Sequence, residues 1–261
     1  MNAPTIGTQL RQWRHHRRLS QLDCALEADI SQRHLSFIES GRASPSREMV
    51  LHLSERLDVP LRERNVLLLA AGFAPEFQER SLDDPRLAPA RRAMELVLKG
   101  HEPYPALAVD RHFNLVAANG AVAPFMALVA DAALTEPPAN VLRLSLHPRG
   151  LAPHIANLAE WRKHLLDRLR RQSQITGDRT LGALLQELTA YPEPPMPPKT
   201  ELSDLGGVAA PLELMLGGRR LSFLSTMSVF GTAADITLSE LSLECLFPAD
   251  EQTAQALAAG L

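Results

Sequence analysis

Gln32, Arg33, Ser36 and Phe37 carry the most specific chemistry in the chain, because their spacing puts them on one helical face, which Ser40 extends. Arginine can bond guanine bidentately, glutamine can bond adenine, and serine can reach a base or a phosphate. Phe37 has two readings: contact with a thymine methyl, or packing against the loop that follows. Arg42 and Arg47 come after this stretch and Arg14 before it. Such groups suit phosphates, which position a protein on DNA without reading sequence. A second set is Asn140, Arg143 and His147, spaced by three and four residues among Leu142, Leu144 and Leu146. In a helix these three share a face. Arg143 in that apolar setting can hold a carboxylate bidentately. It can equally pair with Glu160, Asp167 or backbone carbonyls. Trp161 and His164 lie one turn apart with Leu165 beside them, and Trp161 reads as core or as the wall of a ligand site.

Catalysis has little to rest on. The chain has no Gly-x-Ser-x-Gly elbow, phosphate loop, nucleotide-binding glycine fingerprint or His-Glu-x-x-His helix. Four of the nine histidines fall in the first 75 residues and the rest are scattered. No Cys/His spacing matches a zinc site, and Cys24 and Cys245 read as reduced, buried thiols.

The first set needs two short helices joined by a tight turn, and residues 20–41, SQLDCALEADISQRHLSFIESG, have that form. Ser20 with Asp23 makes a capping box, Ser31 caps the second helix and Gly41 stops it. Leu22, Ala25, Ile30, Leu35 and Ile38 are expected to face inward. This is a helix-turn-helix pattern, whose second helix enters the major groove. Around it the pattern predicts helices over Ile6–His16, from Ser44-Pro45 to about Leu57, and over about Leu61–Ala71, ending at Gly72. The run Val66–Leu69 is too apolar for one exposed face, so a dimer partner or a second domain is expected to cover it.

Beyond the linker Pro75–Pro89, a helix is expected over Pro89–Lys99 and strands over Ala106–Val109 and Leu115–Ala118. Helices follow over Ala121–Val129, Ile155–Gln172 and Leu181–Ala190, with Asn119 as a cap. After the proline-rich tract 191–199 come strands over Ala209–Leu216, Leu221–Phe230 and Leu238–Leu246 and a helix over Asp250–Ala259. Gly217-Gly218 signals a hairpin. Two strands, helices, then three antiparallel strands is the order of the PAS fold. The domains expected are 1–75, a DNA-binding helix-turn-helix; 76–104, a linker and connecting helix; and 105–261, a PAS-like ligand-binding domain.

Charge agrees with this division. Residues 1–75 hold ten Arg against eight Asp or Glu, although the whole chain carries −3. A basic module on an acidic body fits a DNA-binding domain attached to something else. No run of 18 apolar residues exists and no signal stretch opens the chain, so a cytoplasmic location without a membrane partner is expected.

Ser20-Gln21, Cys24-Ala25, Asp29-Ile30-Ser31 and Leu35 through Ile38-Glu39-Ser40-Gly41 resemble the lambda-repressor/Cro-like domains of the xenobiotic-response-element class. Asp29 departs from the usual turn glycine and Cys24 from the usual leucine. That resemblance implies that Gln21 bonds a backbone phosphate. The segments 140–172 and 229–257 look like the ligand-binding domain of MmyB-like transcription regulators. The combined likeness implies an all-α lambda-repressor-like domain followed by an α+β PAS-like domain with a five-stranded antiparallel sheet. It also implies long-chain fatty acid binding. The expectation is a dimeric, sequence-specific DNA-binding regulator on a palindromic double-stranded operator, not an enzyme. No catalytic cofactor or metal is expected. A fatty-acid-like carboxylate would sit near Asn140, Arg143, His147, Trp161, His164 and Leu165. The other reading is a regulator whose second domain only dimerises or recruits a partner, without ligand.

Overall fold

The structure is a computed structural model that describes residues 4–193, 211–230 and 235–259. It divides into two compact units, residues 1–80 with 232–239, and residues 81–231 with 240–261.

The first unit holds five helices, α1 (Ile6–His16), α2 (Gln21–Glu27), α3 (Gln32–Glu39), α4 (Arg47–Arg56) and α5 (Leu61–Ala70). Side-chain oxygens of Thr5, Ser20, Ser31 and Ser46 accept from backbone N–H groups of the first turns of α1 to α4, which helix geometry otherwise leaves unpaired. The capping box of Ser20 and Asp23 forms as the sequence predicts. The cap of α4 is Ser46, two residues beyond the expected Ser44, with Pro45 buried ahead of the helix. Asp29 takes a left-handed φ of 50° in the turn between α2 and α3, where a short polar side chain tolerates it. The core is Leu10, Cys24, Ala25, Leu35, Ile38, Leu53, Leu67 and Leu68 with their neighbours. Gly7 lets α1 lie against α3, since a Cβ there collides with the carbonyl oxygen of Ile38. Leu22 is a correction: it is 51% exposed, because the inward stripe of α2 runs through Cys24, Ala25 and Ala28.

Residues 235–239 join this unit although they follow the fourth strand in sequence. Arg80 Nη1 meets Asp235 Oδ2 at 2.9 Å, Ile236 N donates to Gln78 O, and the Thr237 hydroxyl donates to Arg80 O at 2.6 Å. Asp235 also accepts from Thr237 N, so residues expected to start the last strand form the short helix α11 (Ile236–Ser239) instead.

The second unit is a five-stranded antiparallel sheet in the order β2-β1-β5-β4-β3, with helices inserted between β2 and β3. Its strands are β1 (Ala106–Val109), β2 (Leu115–Ala118), β3 (Pro211–Leu216), β4 (Arg219–Val229) and β5 (Ser242–Pro248). The hairpin turn Gly217-Gly218 has positive φ at both residues, which glycine adopts freely. One face carries α6 (Ala88–Gly100), whose Met94 and Leu98 pack with Ala106, Ala108 and Leu243. The larger core includes residues from α7 (Ala123–Met126), α8 (Val141–Leu146), α9 (Leu158–Thr176), α10 (Arg179–Thr189) and α12 (Glu251–Ala258). The expected helix Ala121–Val129 is reduced to a 3-10 turn and the four residues of α7. Asn119 does not cap it. Its amide accepts from Ala106 N and donates to Leu98 O and Tyr104 O, tying α6 to β1. α9 begins three residues later than expected, because Ile155 bridges Leu214 and Ala156 N donates to Glu213 O. Most of the proline-rich tract, Gly206-Gly207 and the first two residues of the expected third strand lie outside the described residues.

Candidate functional site

The first candidate surface is the outer face of α3. Gln32, Arg33 and Ser40 are exposed, while Ser36 and Phe37 are half-buried. The Arg33 guanidinium lies 5.2 Å from the Phe37 ring centroid and that of Arg42 6.0 Å, within the range of cation–π attraction. Arg42 N and Ala43 N donate to Phe37 O, so the Phe37 backbone also holds the loop after the helix. Phe37 thereby joins two cationic groups to one apolar plate. His34, also exposed in the first turn, was missed by the sequence reading; its place next to Arg33 was the available signal.

What holds this face is a buried ion pair. Glu39, at the inner end of α3, accepts from Arg14 Nε at 2.6 Å and Arg14 Nη2 at 2.9 Å. Gln21 Nε2 donates to it at 2.8 Å. Burial pushes the Glu39 carboxyl up, but hydrogen bonds from Arg14 and Gln21 and the charges of Arg14 and Arg11 outweigh it and hold it below the usual range. Two expectations change here. Arg14 is 5% exposed and joins α1 to α3 instead of meeting phosphate. Gln21, expected on a phosphate, spends one amide N–H on Glu39. Arg47 pairs with Glu76, whereas Arg42 stays exposed.

The second candidate is a cavity between the helices and the inner face of the sheet. It has about 100 Å³ of solvent-accessible volume, is partly open, and is lined almost wholly by apolar side chains such as Leu107, Phe125, Leu142 and Leu214. Trp161 and Leu165 of α9 line it as well. The Trp161 indole N–H donates to the Ser145 hydroxyl at 2.9 Å, which fixes the ring against the wall.

The other expected ligand residues do not line it. α8 spans only six residues, so Asn140 and His147 are its two flanking caps with extended backbones, and the three residues share no helical face. Arg143 is held bidentately by Glu187, at 2.8 and 2.7 Å. The Tyr191 hydroxyl donates to the same carboxylate, and burial with that bond pushes the tyrosine up to about 12. Asn140 caps α8 through Arg143 N and donates to His112 O. His147 stands edge-on to Tyr191, with ring centroids 5.2 Å apart. These groups form a structural polar cluster. His164 stacks on Trp161 at 5.5 Å but stays outside the cavity. Burial and the nearby charges of Arg168 and Arg171 depress its pKa.

Residues 90–259 match the family model described as the MmyB-like transcription regulator ligand binding domain. Residues 5–67 match that of a helix-turn-helix domain. The chain belongs to the MmyB-like transcription regulators. No curated protein matches it. Among the regulator's described residues no helix is long and apolar enough to cross a membrane. Nothing local in this regulator's sequence singles out Glu244, the acidic residue among the cavity's described lining, or its partner Arg168. Both lie in elements that the sequence pattern predicts, but the pairing spans 76 residues and has no local signature.

Proposed function

We propose that this regulator binds a palindromic operator as a homodimer and changes its affinity when a long-chain acyl compound, such as a fatty acid, enters the PAS-like unit. The observation that carries the reading is the cavity: side chains of the three helices α7, α8 and α9 and the four strands β1, β2, β3 and β5 converge on it, and among the described residues its polar lining is sparse. Its lining has the apolar character of ligand pockets, which hold about 300–1,000 Å³; at about 100 Å³ the cavity must widen by side-chain movement to take a long acyl chain. On the DNA side, Gln32, Arg33 and Ser36 meet base edges and Arg42 meets phosphate, with Phe37 as the plate beneath the two arginines. One five-helix unit touches few bases, and two half-sites about 34 Å apart supply the missing specificity.

The test is calorimetric titration of delipidated full-length protein with saturated fatty acids of increasing length, then operator binding with and without ligand. Each buried methylene contributes about 0.8 kcal/mol, so affinity should tighten by up to about fourfold per carbon until the cavity is full. A tenfold change in operator affinity requires about 1.4 kcal/mol of coupling. Absence of saturable binding at every length leaves a second unit that only dimerises or recruits a partner. Binding without any effect on the operator makes the lipid structural.

A further inference from the structure

Among its described lining residues the cavity has one charged group, Glu244. Glu244 sits on β5 two residues before Leu246, and the pleat turns both toward the cavity while Leu243 and Cys245 pack on the opposite face. Glu244 is 8% exposed. Its Oε1 accepts the Ser225 hydroxyl at 2.7 Å. Its Oε2 lies 3.4 Å from Arg168 Nη1, a long contact for a charged pair. The Arg168 guanidinium also lies over the Phe113 ring at 5.0 Å. Its second terminal nitrogen, Nη2, is buried and has no hydrogen-bond partner among the described residues. Glu244 therefore presents to the cavity a carboxylate that Ser225 and Arg168 hold in place from behind the wall.

An ionised ligand head at this end of the cavity would stand beside the Glu244 carboxylate. Like charges sharing a site disfavour the charged form. An uncharged head avoids that repulsion, and an N–H or O–H on it can donate to Glu244. We propose that Glu244, held by Ser225 and Arg168, sets the head-group selectivity of the cavity and favours acyl chains ending in an amide or hydroxyl over the ionised acid of equal length. This rests on the reading of the cavity as an acyl site and narrows the ligand class within it.

The experiment compares dodecanoic acid, dodecanamide and dodecanol on delipidated full-length protein at neutral pH, where the free acid is ionised. The wild type should bind the amide and the alcohol on the order of tenfold more tightly than the acid. Any apolar cavity disfavours an ionised acid to some degree, so the decisive quantity is how that ratio changes. Glu244→Gln removes the charge and keeps the shape. It should bring the acid up by about tenfold, to near parity with the amide, while the amide changes little. Glu244→Leu is a second variant with the same expectation, used if the first fails to fold. An acid that binds the wild type as tightly as the amide, or a ratio unchanged in both folded variants, overturns the selectivity and leaves the acyl site standing. No binding of any of the three compounds overturns the site and the selectivity together.

Discussion

Glu39→Ala should remove both the stability of the helical unit and operator binding. The Glu39 carboxylate lies on α3 and accepts from Arg14 of α1 and Gln21 of α2, so it ties together the elements that aim the outer face of α3. Arg14 and Glu39 are 5% and 7% exposed. Such a pair is not inherently better than an apolar pair in the same space, because both charges were taken from water. Breaking it is another matter. Arg14 keeps its charge and is left with the Leu19 carbonyl, at 2.8 Å, as its remaining partner. Removing one member of a buried pair costs about 3–5 kcal/mol. For a unit this small each kcal/mol lowers the melting temperature by about 4–8 °C, so the drop should exceed about 12 °C. Trp13 on α1 reports on this unit once the chain's other tryptophan is removed as Trp161→Phe. Acid titration gives a second readout. The Glu39 carboxyl is held below its usual value of 4.5, so its contribution is fully present above that value. It is lost as pH falls through the lower, folded value, and the variant should lack this acid-side loss. A drop of less than about 3 °C, with an acid limb like that of the wild type, refutes the argument.

Arg33→Ala should cost roughly 1–3 kcal/mol on the preferred operator and relax selection at one base position; a binding-site selection that keeps the full preference removes the base-reading role. Arg42→Ala should weaken all sequences alike and reduce the salt slope by about one, measured by titrating affinity against salt. Arg143→Ala should leave the acid-to-alcohol ratio unaltered and cost at most about 1 kcal/mol of stability, since both side chains of its pair are more than a third exposed and solvent screens them; a changed ratio in calorimetry restores it to the ligand site. On α5, Leu68 is fully buried and Leu69 is 59% exposed. Leu68→Asp should therefore unfold the unit, whereas Leu69→Asp should leave its stability within about 0.5 kcal/mol and weaken the dimer in sedimentation.

What the sequence reveals depends on how local the cause is. The bounds of α1, β1 and β2 follow from patterns within a dozen residues, and the structure reproduces them to the residue. The caps of α2 and α3 are equally local, each depending on one serine and the backbone three positions on. The position of α11 depends on Arg80 and Gln78, more than 150 residues earlier, and no periodicity in the last third of the chain announces it. The candidate site divides the same way. The outer face of α3 is legible because a helix converts spacing directly into orientation. The cavity is not, because a polar residue among leucines looks the same whether it faces a ligand or a partner. Arg143 and Arg168 both have apolar neighbours in sequence and an acid in reach. Glu187 satisfies the first through two short bonds. Glu244 meets the second through one long contact, and Arg168 Nη2 is buried without a partner among the described residues. How completely a partner meets each arginine is thus a quantity that only the folded geometry contains.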